Sequence, residues 1–263
     1  MISQGVVYCL TDSEAYLEAV LISSLTLRSF EPDLPIAIIS NLARIESLDL
    51  KPYNISSRYL TAQELPVNNT FVSRYLKTHL IELSPFTETL FLDADILPCA
   101  AINDLWHYLK TAVIAMVRDR LPLVEMCDHI SPEEKSYTLE QIPPHSIQYN
   151  SGVMLWRNNR SMQELFAQWQ SEWNIYQKQD QLALVRALHH CHISVAEIPQ
   201  FYNVSPIDSI ELIEAGQKIQ LLHCWGGMVA SGEFRDIAQS RYPQIVEQVD
   251  FLLRSSPKRV PHI

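Results

Sequence analysis

Residues 5–40 constrain the fold more than any other stretch. Residues 5–10 are a short apolar run rich in valine, which reads as a buried strand. Thr11, Asp12 and Ser13 follow, and such residues start helices by offering a side-chain oxygen to unpaired backbone N–H groups. From residue 16 to 30 apolar positions recur at helical spacing, with Leu17, Val20, Leu21, Ser24 and Leu25 on one stripe, and Pro32 and Pro35 close the helix. Residues 36–40 are a second buried strand. Strand, helix and strand in this order predict a parallel sheet covered by helices.

The rest of the chain extends that plan. Residues 71–83 read as a helix ended by Pro85, and residues 89–92 as a strand running into Asp93. A strand is expected over 112–117, ending at Arg118 and Asp119, and another over 151–156. Helices are expected over 162–176, with Leu165, Phe166, Trp169 and Trp173 on one side, and over 180–189. Late strands are expected over 196–198 and 218–222, and a C-terminal helix over 236–254, restarted at Pro243. Residues 122–144 mix prolines and charges and read as a loop excursion. Residues 1–254 are thus expected to form one domain and residues 255–263 a tail.

Composition narrows the function. With 47% hydrophobic and 19% charged residues in 263, the chain can bury a sizeable core. The formal charge of −10 argues against a broad nucleic-acid surface. No apolar run approaches the roughly 18 residues that span a bilayer, and no basic stretch precedes an apolar core at the N-terminus, so neither a membrane span nor a signal peptide is expected. Cys9, Cys99, Cys127, Cys191 and Cys224 lack the close spacing of a zinc or redox site, and a reducing, cytoplasmic setting is expected. Six glycines supply no glycine-rich phosphate loop, so any phosphate must be held by other means, such as a metal ion and cationic side chains.

Residues 89–98, TLFLDADILP, are the sharpest chemical feature. An apolar strand ends in two carboxylates, Asp93 and Asp95, separated by Ala94. In an extended chain alternate side chains point the same way, and strand ends in open α/β sheets are where ligands bind. Two carboxylates buried together repel unless a cation sits between them. Magnesium or manganese, taking oxygen ligands, is the natural partner. A bare Asp-x-Asp is equally a solvated turn, but the apolar flanks on both sides favour a buried strand end. The cluster His189, His190, Cys191, His192 reads as a helix C-terminus, where histidine suits the dipole, more than as a second metal site. Trp169, Trp173 and Tyr176 read as core.

The segment LFLDADIL resembles the metal-binding signature of GT-A glycosyltransferases, particularly the glycogenin and galactosyltransferase-like group of glycosyltransferase family 8. The resemblance implies a GT-A, Rossmann-like fold: a mostly parallel central sheet flanked by helices, in a single domain with a C-terminal helix. It implies transfer from a nucleotide diphosphate sugar, a uridine diphosphate sugar by preference, to a hydroxyl of a sugar, lipid or protein, with retention of configuration and Mn2+ or Mg2+ as cofactor. Residues 6–16 resemble the turn that receives the nucleotide, with Thr11 and Asp12 to bond and Tyr16 to stack; capping by Asp12 and packing by Tyr16 is the plain alternative. Arg74 and Lys77 share a helix face before the metal strand, and Lys77 stands where the family's basic residue approaches the donor. Asn150, Ser151 and Gly152 resemble the family's Asn-Ser-Gly at a strand start, where Asn150 and Ser151 meet donor or acceptor hydroxyls. Asp180 and Gln181 resemble its Asp-Gln pair, with Asp180 on sugar hydroxyls and Gln181 near the anomeric carbon; a helix cap is the plain alternative for Asp180. The segment LLHCWGG resembles its His-x-x-Gly, which makes His223 a third metal ligand and sets Gly226 beside the diphosphate.

One departure stands out. The family continues from that segment to a lysine, whereas this chain reads Met228-Val229-Ala230-Ser231, and Arg235 is the nearest substitute. It leaves open a non-catalytic nucleotide-sugar-binding protein. A phosphatase of the haloacid dehalogenase type shares the Asp-x-Asp but places it near the start of its domain, and a nucleotidyltransferase needs a basic glycine-rich loop that is missing here. Asp119 is a remote candidate for acceptor contact. Self-association is compatible with the sequence.

Overall fold

The computed structural model describes residues 3–11, 13–65 and 71–255. In chain order they form β1 (Gln4–Leu10), α1 (Glu14–Phe30), β2 (Ile36–Ser40), β3 (Ile55–Tyr59), α2 (Val72–Thr78), α3 (Leu80–Leu83), β4 (Glu88–Leu92), β5 (Ile96–Pro98), β6 (Ile114–Leu123), α4 (Pro132–Gln141), β7 (Ile147–Arg157), α5 (Arg160–Tyr176), α6 (Gln181–His190), β8 (Ala196–Ile198), α7 (Ser209–Glu214), β9 (Leu221–His223), α8 (Met228–Ser231), α9 (Glu233–Arg241) and α10 (Pro243–Ser255). The α/β class, with a sheet flanked by helices and a C-terminal helix, is as expected. No described helix is long and apolar enough to cross a membrane. The chain divides into two compact units and passes between them several times, once inside β4.

Residues 4–65, 91–103 and those from 201 onward make one unit. Here β1, β2 and β3 run parallel, with Val6 opposite Ile36 and Ile36 opposite Ile55. All five residues of β2 are buried, as the unbroken apolar run requires. Helix α1 starts where Ser13 accepts a bond from Tyr16 N–H at 3.4 Å. It is buried on all sides from residue 19 to 27, wider than the single stripe read from its spacing. The short strand β5 pairs antiparallel with β9, Ile96 facing His223 and Pro98 facing Leu221. Beyond β5, the buried Glu31 accepts from Ile102 N–H at 2.7 Å and anchors the chain's exit. The C-terminal region is two helices, α9 and α10, restarted at Pro243 as expected. Ser255, expected in a tail, closes α10; the rest of that tail and Asp12 lie outside the described residues.

Residues 71–90 and 104–200 make the other unit. Strands β6 and β7 are antiparallel, and β8 lies parallel to β6 on its other side. Three segments differ from what the sequence predicts. The helix expected over 71–83 is two, because the His79 ring captures the Tyr75 carbonyl at 2.8 Å and the His79 N–H turns to Leu76 O at 3.0 Å. The excursion at 122–144 contains α4, begun by Ser131, whose hydroxyl accepts from Glu134 N–H at 3.3 Å, with Pro132 at the first turn. The strand expected over 151–156 is longer, β7 beginning at Ile147, so Asn150 lies inside it instead of leading into it and Ser151 is not its first residue. The aromatic side of α5 is core: Trp169 and Trp173 are buried, while Tyr176 is half-buried against Tyr137.

Candidate active site

The acidic pair stands just past the end of β4. Asp93, Ala94 and Asp95 form a turn, closed by Ile96 N–H on Asp93 O at 3.1 Å, so a turn and not strand alternation brings the two carboxylates together. The pairing of β5 with β9 places His223 opposite Ile96, and Cys224 N–H holds Asp95 O at 2.9 Å. His223 Nε2 therefore lies 3.2 Å from Asp95 and 3.8 Å from Asp93, and ligand atoms from all three residues fall within 4.8 Å of one another. His223 is buried, with its side chain 5% exposed, while the Asp93 and Asp95 side chains are 27% and 13% exposed. Its Nδ1 faces Asn203 Oδ1 at 2.7 Å, and an amide oxygen only accepts, so Nδ1 is the donor in that contact and Nε2 is the ring nitrogen turned to the aspartates. Trp225 packs edge-on against the imidazole at 4.9 Å. Two carboxylates and one imidazole nitrogen are a donor set suited to a divalent cation. Burial, and after it Asp95 and Cys99, push the Cys224 thiol up to about 12. No other metal-ligating group of three occurs among the described residues, and His189 and His190 end α6 as expected.

After His223 the chain turns through Gly226 and Gly227, whose φ of 76° and 92° are left-handed values that favour glycine. Helix α8 follows without a cation, and Arg235 is bound by Glu18 and Asp250. Near the start of the same unit, Thr11 follows β1 and Tyr16 sits half-exposed in the first turn of α1.

In the other unit the candidates Lys77, Ser151 and Asp180 form one buried chain. Lys77 Nζ donates to Ser151 Oγ at 3.2 Å, Ser151 Oγ donates to Asp180 Oδ2 at 2.6 Å, and Lys77 and Asp180 are 3.8 Å apart. Burial alone would raise the Asp180 carboxyl, but Lys77, Ser151 and Arg74 outweigh it and hold it below the ordinary aspartate value. Asp180 does not cap α6: its backbone is helical and its side chain bonds no N–H of that helix. Its carbonyl accepts from Trp169 Nε1 at 2.9 Å. Arg74 is half-buried over the Phe71 ring, 5.9 Å from its centre. Asn150 donates to Asp119 at 3.2 Å and accepts from Gly152 N–H at 2.9 Å. Gln181 donates to the buried Gln148 at 3.1 Å. Asn203 and Gln148 carry no sequence signal, since each meets its partner only through strand pairing or packing twenty or more residues away.

Comparison with known proteins agrees with this geometry. The family model described as Glycosyl transferase family 8 matches residues 29–228. No curated protein sequence matches the chain. The structure is similar to the galactosyltransferase LgtC solved with donor and acceptor sugar analogues, at 16% identity and TM-score 0.61, covering 98% of each chain. It is also similar to mouse xyloside xylosyltransferase 1, at 13% identity and TM-score 0.57 over 84% of this chain and 97% of that one. The glycosyltransferase GlyE of Streptococcus pneumoniae TIGR4 matches at 10% identity and TM-score 0.57, over 100% of this chain and 66% of that one. At such identities these likenesses show a shared GT-A fold.

Proposed function

The chain belongs to glycosyltransferase family 8, and from that premise we propose that it moves a sugar from a uridine diphosphate sugar to a hydroxyl of a sugar, lipid or protein acceptor, with retention of configuration. The observation that carries the reading is the convergence of Asp93, Asp95 and His223 in a family 8 chain. Membership removes the phosphatase and nucleotidyltransferase alternatives.

Asp93 and Asp95 supply oxygen ligands and His223 a nitrogen, a mixture that favours Mn2+ over Mg2+. The bound ion would supply fixed positive charge to a diphosphate leaving group. Asn203 holds the imidazole in the tautomer that leaves Nε2 free to ligate. Thr11, Asp12 and Tyr16 receive the nucleotide, Gly226 lets the backbone approach the diphosphate, and Arg74 and Lys77 add positive charge. Asp180, kept ionised, spends Oδ2 on Ser151 and leaves Oδ1 to accept a sugar hydroxyl. Asn150 and Ser151 orient hydroxyls beside it, and Gln181 lies near the anomeric carbon. Groups already held within their own unit, such as the Lys77–Ser151–Asp180 chain, stabilise charge without reorganising.

The test is UDP release from UDP-glucose, UDP-galactose, UDP-xylose and UDP-N-acetylglucosamine with Mn2+. At least one should be turned over, and the anomer first formed, read by proton NMR, should retain the donor's configuration. Asp93→Ala and Asp95→Ala should each lower turnover by about 100-fold or more with the melting curve intact. Normal turnover in either variant overturns the role of the pair.

A further inference from the structure

Opposite β7, strand β6 is irregular. Arg118 faces Tyr149 and Leu123 faces Ile147, so residues 119–122 on β6 stand against Gln148 alone. A bulge of this kind strands carbonyl groups that the ladder does not reach. The Gln148 side chain, wholly buried, spans this bulge: its amide nitrogen donates to Leu121 O inside it and, at 3.3 Å, to Leu123 O where the pairing resumes. Carbonyl oxygens only accept, so both N–H bonds of Gln148 are committed to β6 and its Oε1 must face the other way. What lies there is Gln181, with Nε2 at 3.1 Å.

We infer that Gln148 is a positioning residue that fixes the Gln181 carboxamide carbonyl-outward, so that Gln181 offers an oxygen lone pair and not an N–H to the sugar. The kinetic side of this rests on Gln181 lying at the reacting centre, as proposed above. A reversed Gln181 amide would set two carbonyl oxygens face to face at about the 3.1 Å now spanned by the hydrogen bond, inside a buried site. Gln181 Oε1 has no protein partner among the described residues and is not sealed from solvent, so it is the end left for a ligand. The orientation thus passes from two backbone carbonyls through one amide to the next. Chemically the distinction matters: an oxygen lone pair stabilises positive charge growing at an anomeric carbon, whereas an N–H would oppose it.

The experiment is a double-mutant cycle on UDP release, using the donor sugar from that panel which the wild type turns over best, with Gln148→Met and Gln181→Ala. Methionine keeps the length and removes both amide ends. Gln148→Met should lower kcat by ~10–100-fold with the donor KM within about threefold, and in the Gln181→Ala background the same change should cost less than about threefold. An equal loss in both backgrounds, or a loss carried by KM, overturns the inference and leaves Gln148 a filler of the bulge. A wild type that turns over none of the four donors counts against the proposed function instead. Neutron diffraction of the wild-type protein gives a second answer that does not depend on how the variants fold. It should place both deuterons of the Gln181 amide on the side of Gln148, and the reverse orientation overturns the inference.

Discussion

His223 can ligate through Nε2 only while that nitrogen is bare, and the proton that must sit elsewhere is held by Asn203. The pairing is local in space, because His223 N–H bonds Val204 O at 2.8 Å, one residue on from Asn203. Removing the amide frees the ring to rotate and to exchange tautomers, both of which compete with binding. Asn203→Ala should therefore weaken Mn2+ affinity by about 10–100-fold, while turnover at saturating Mn2+ stays near wild type. A Mn2+ titration of donor hydrolysis reads this directly, and an unchanged midpoint would show that the tautomer is set by something else.

Among the elements, hydrophobic patterning made β1, α1, β2, β4 and α5 legible, because each buries a continuous run or a clear stripe of apolar side chains. It could not reveal β5, three residues long, whose meaning lies in its pairing with β9 across more than a hundred residues. The Asp93–Asp95 pair was legible as chemistry, with a turn as its alternative reading; that His223 joins it was not legible from patterning, since that depends on the pairing of β5 with β9. Helix α4 escaped for a different reason. Its fully buried residues are the polar Glu134 and Thr138, set against Arg186, which is itself 1% exposed and also paired with Glu172 at 2.8 Å. The guanidinium lies over the Tyr137 ring, 5.2 Å from its centre, so one buried cation ties α4, α5 and α6 together. Burial raises the Glu134 carboxyl more than Arg186 lowers it. Arg186→Leu should cost about 3–5 kcal/mol in urea unfolding by leaving two carboxylates buried without a cation. The sign with pH follows. Without the arginine, Glu134 binds its proton more tightly in the folded chain than in the unfolded one, so the variant's stability is best in mild acid and is lost as pH rises through the raised value. A variant equally destabilised at pH 5 and pH 8 would mean that the carboxyls are relieved by water.

Over the whole molecule, 20 basic side chains face 30 acidic ones. The segment after His223, where a basic residue is expected beside the diphosphate, is Met228–Ser231, and Arg235 beyond it is already committed to Glu18 and Asp250. A diphosphate brought to so acidic a chain must meet its charge largely on an ion that the chain first captures with Asp93, Asp95 and His223. Binding of nucleotide and metal should then be strongly coupled, each raising the affinity for the other. Melting of the full chain measures that coupling, since a ligand that binds only the folded state stabilises it by about 2.7 kcal/mol at a hundred times its Kd. For a chain of this length that corresponds to roughly 5–10 °C. UDP with Mn2+ should give such a shift and EDTA should abolish it, while UDP alone gives little. An equal shift by UDP without the ion would place the diphosphate on side-chain cations and separate nucleotide binding from the acidic cluster.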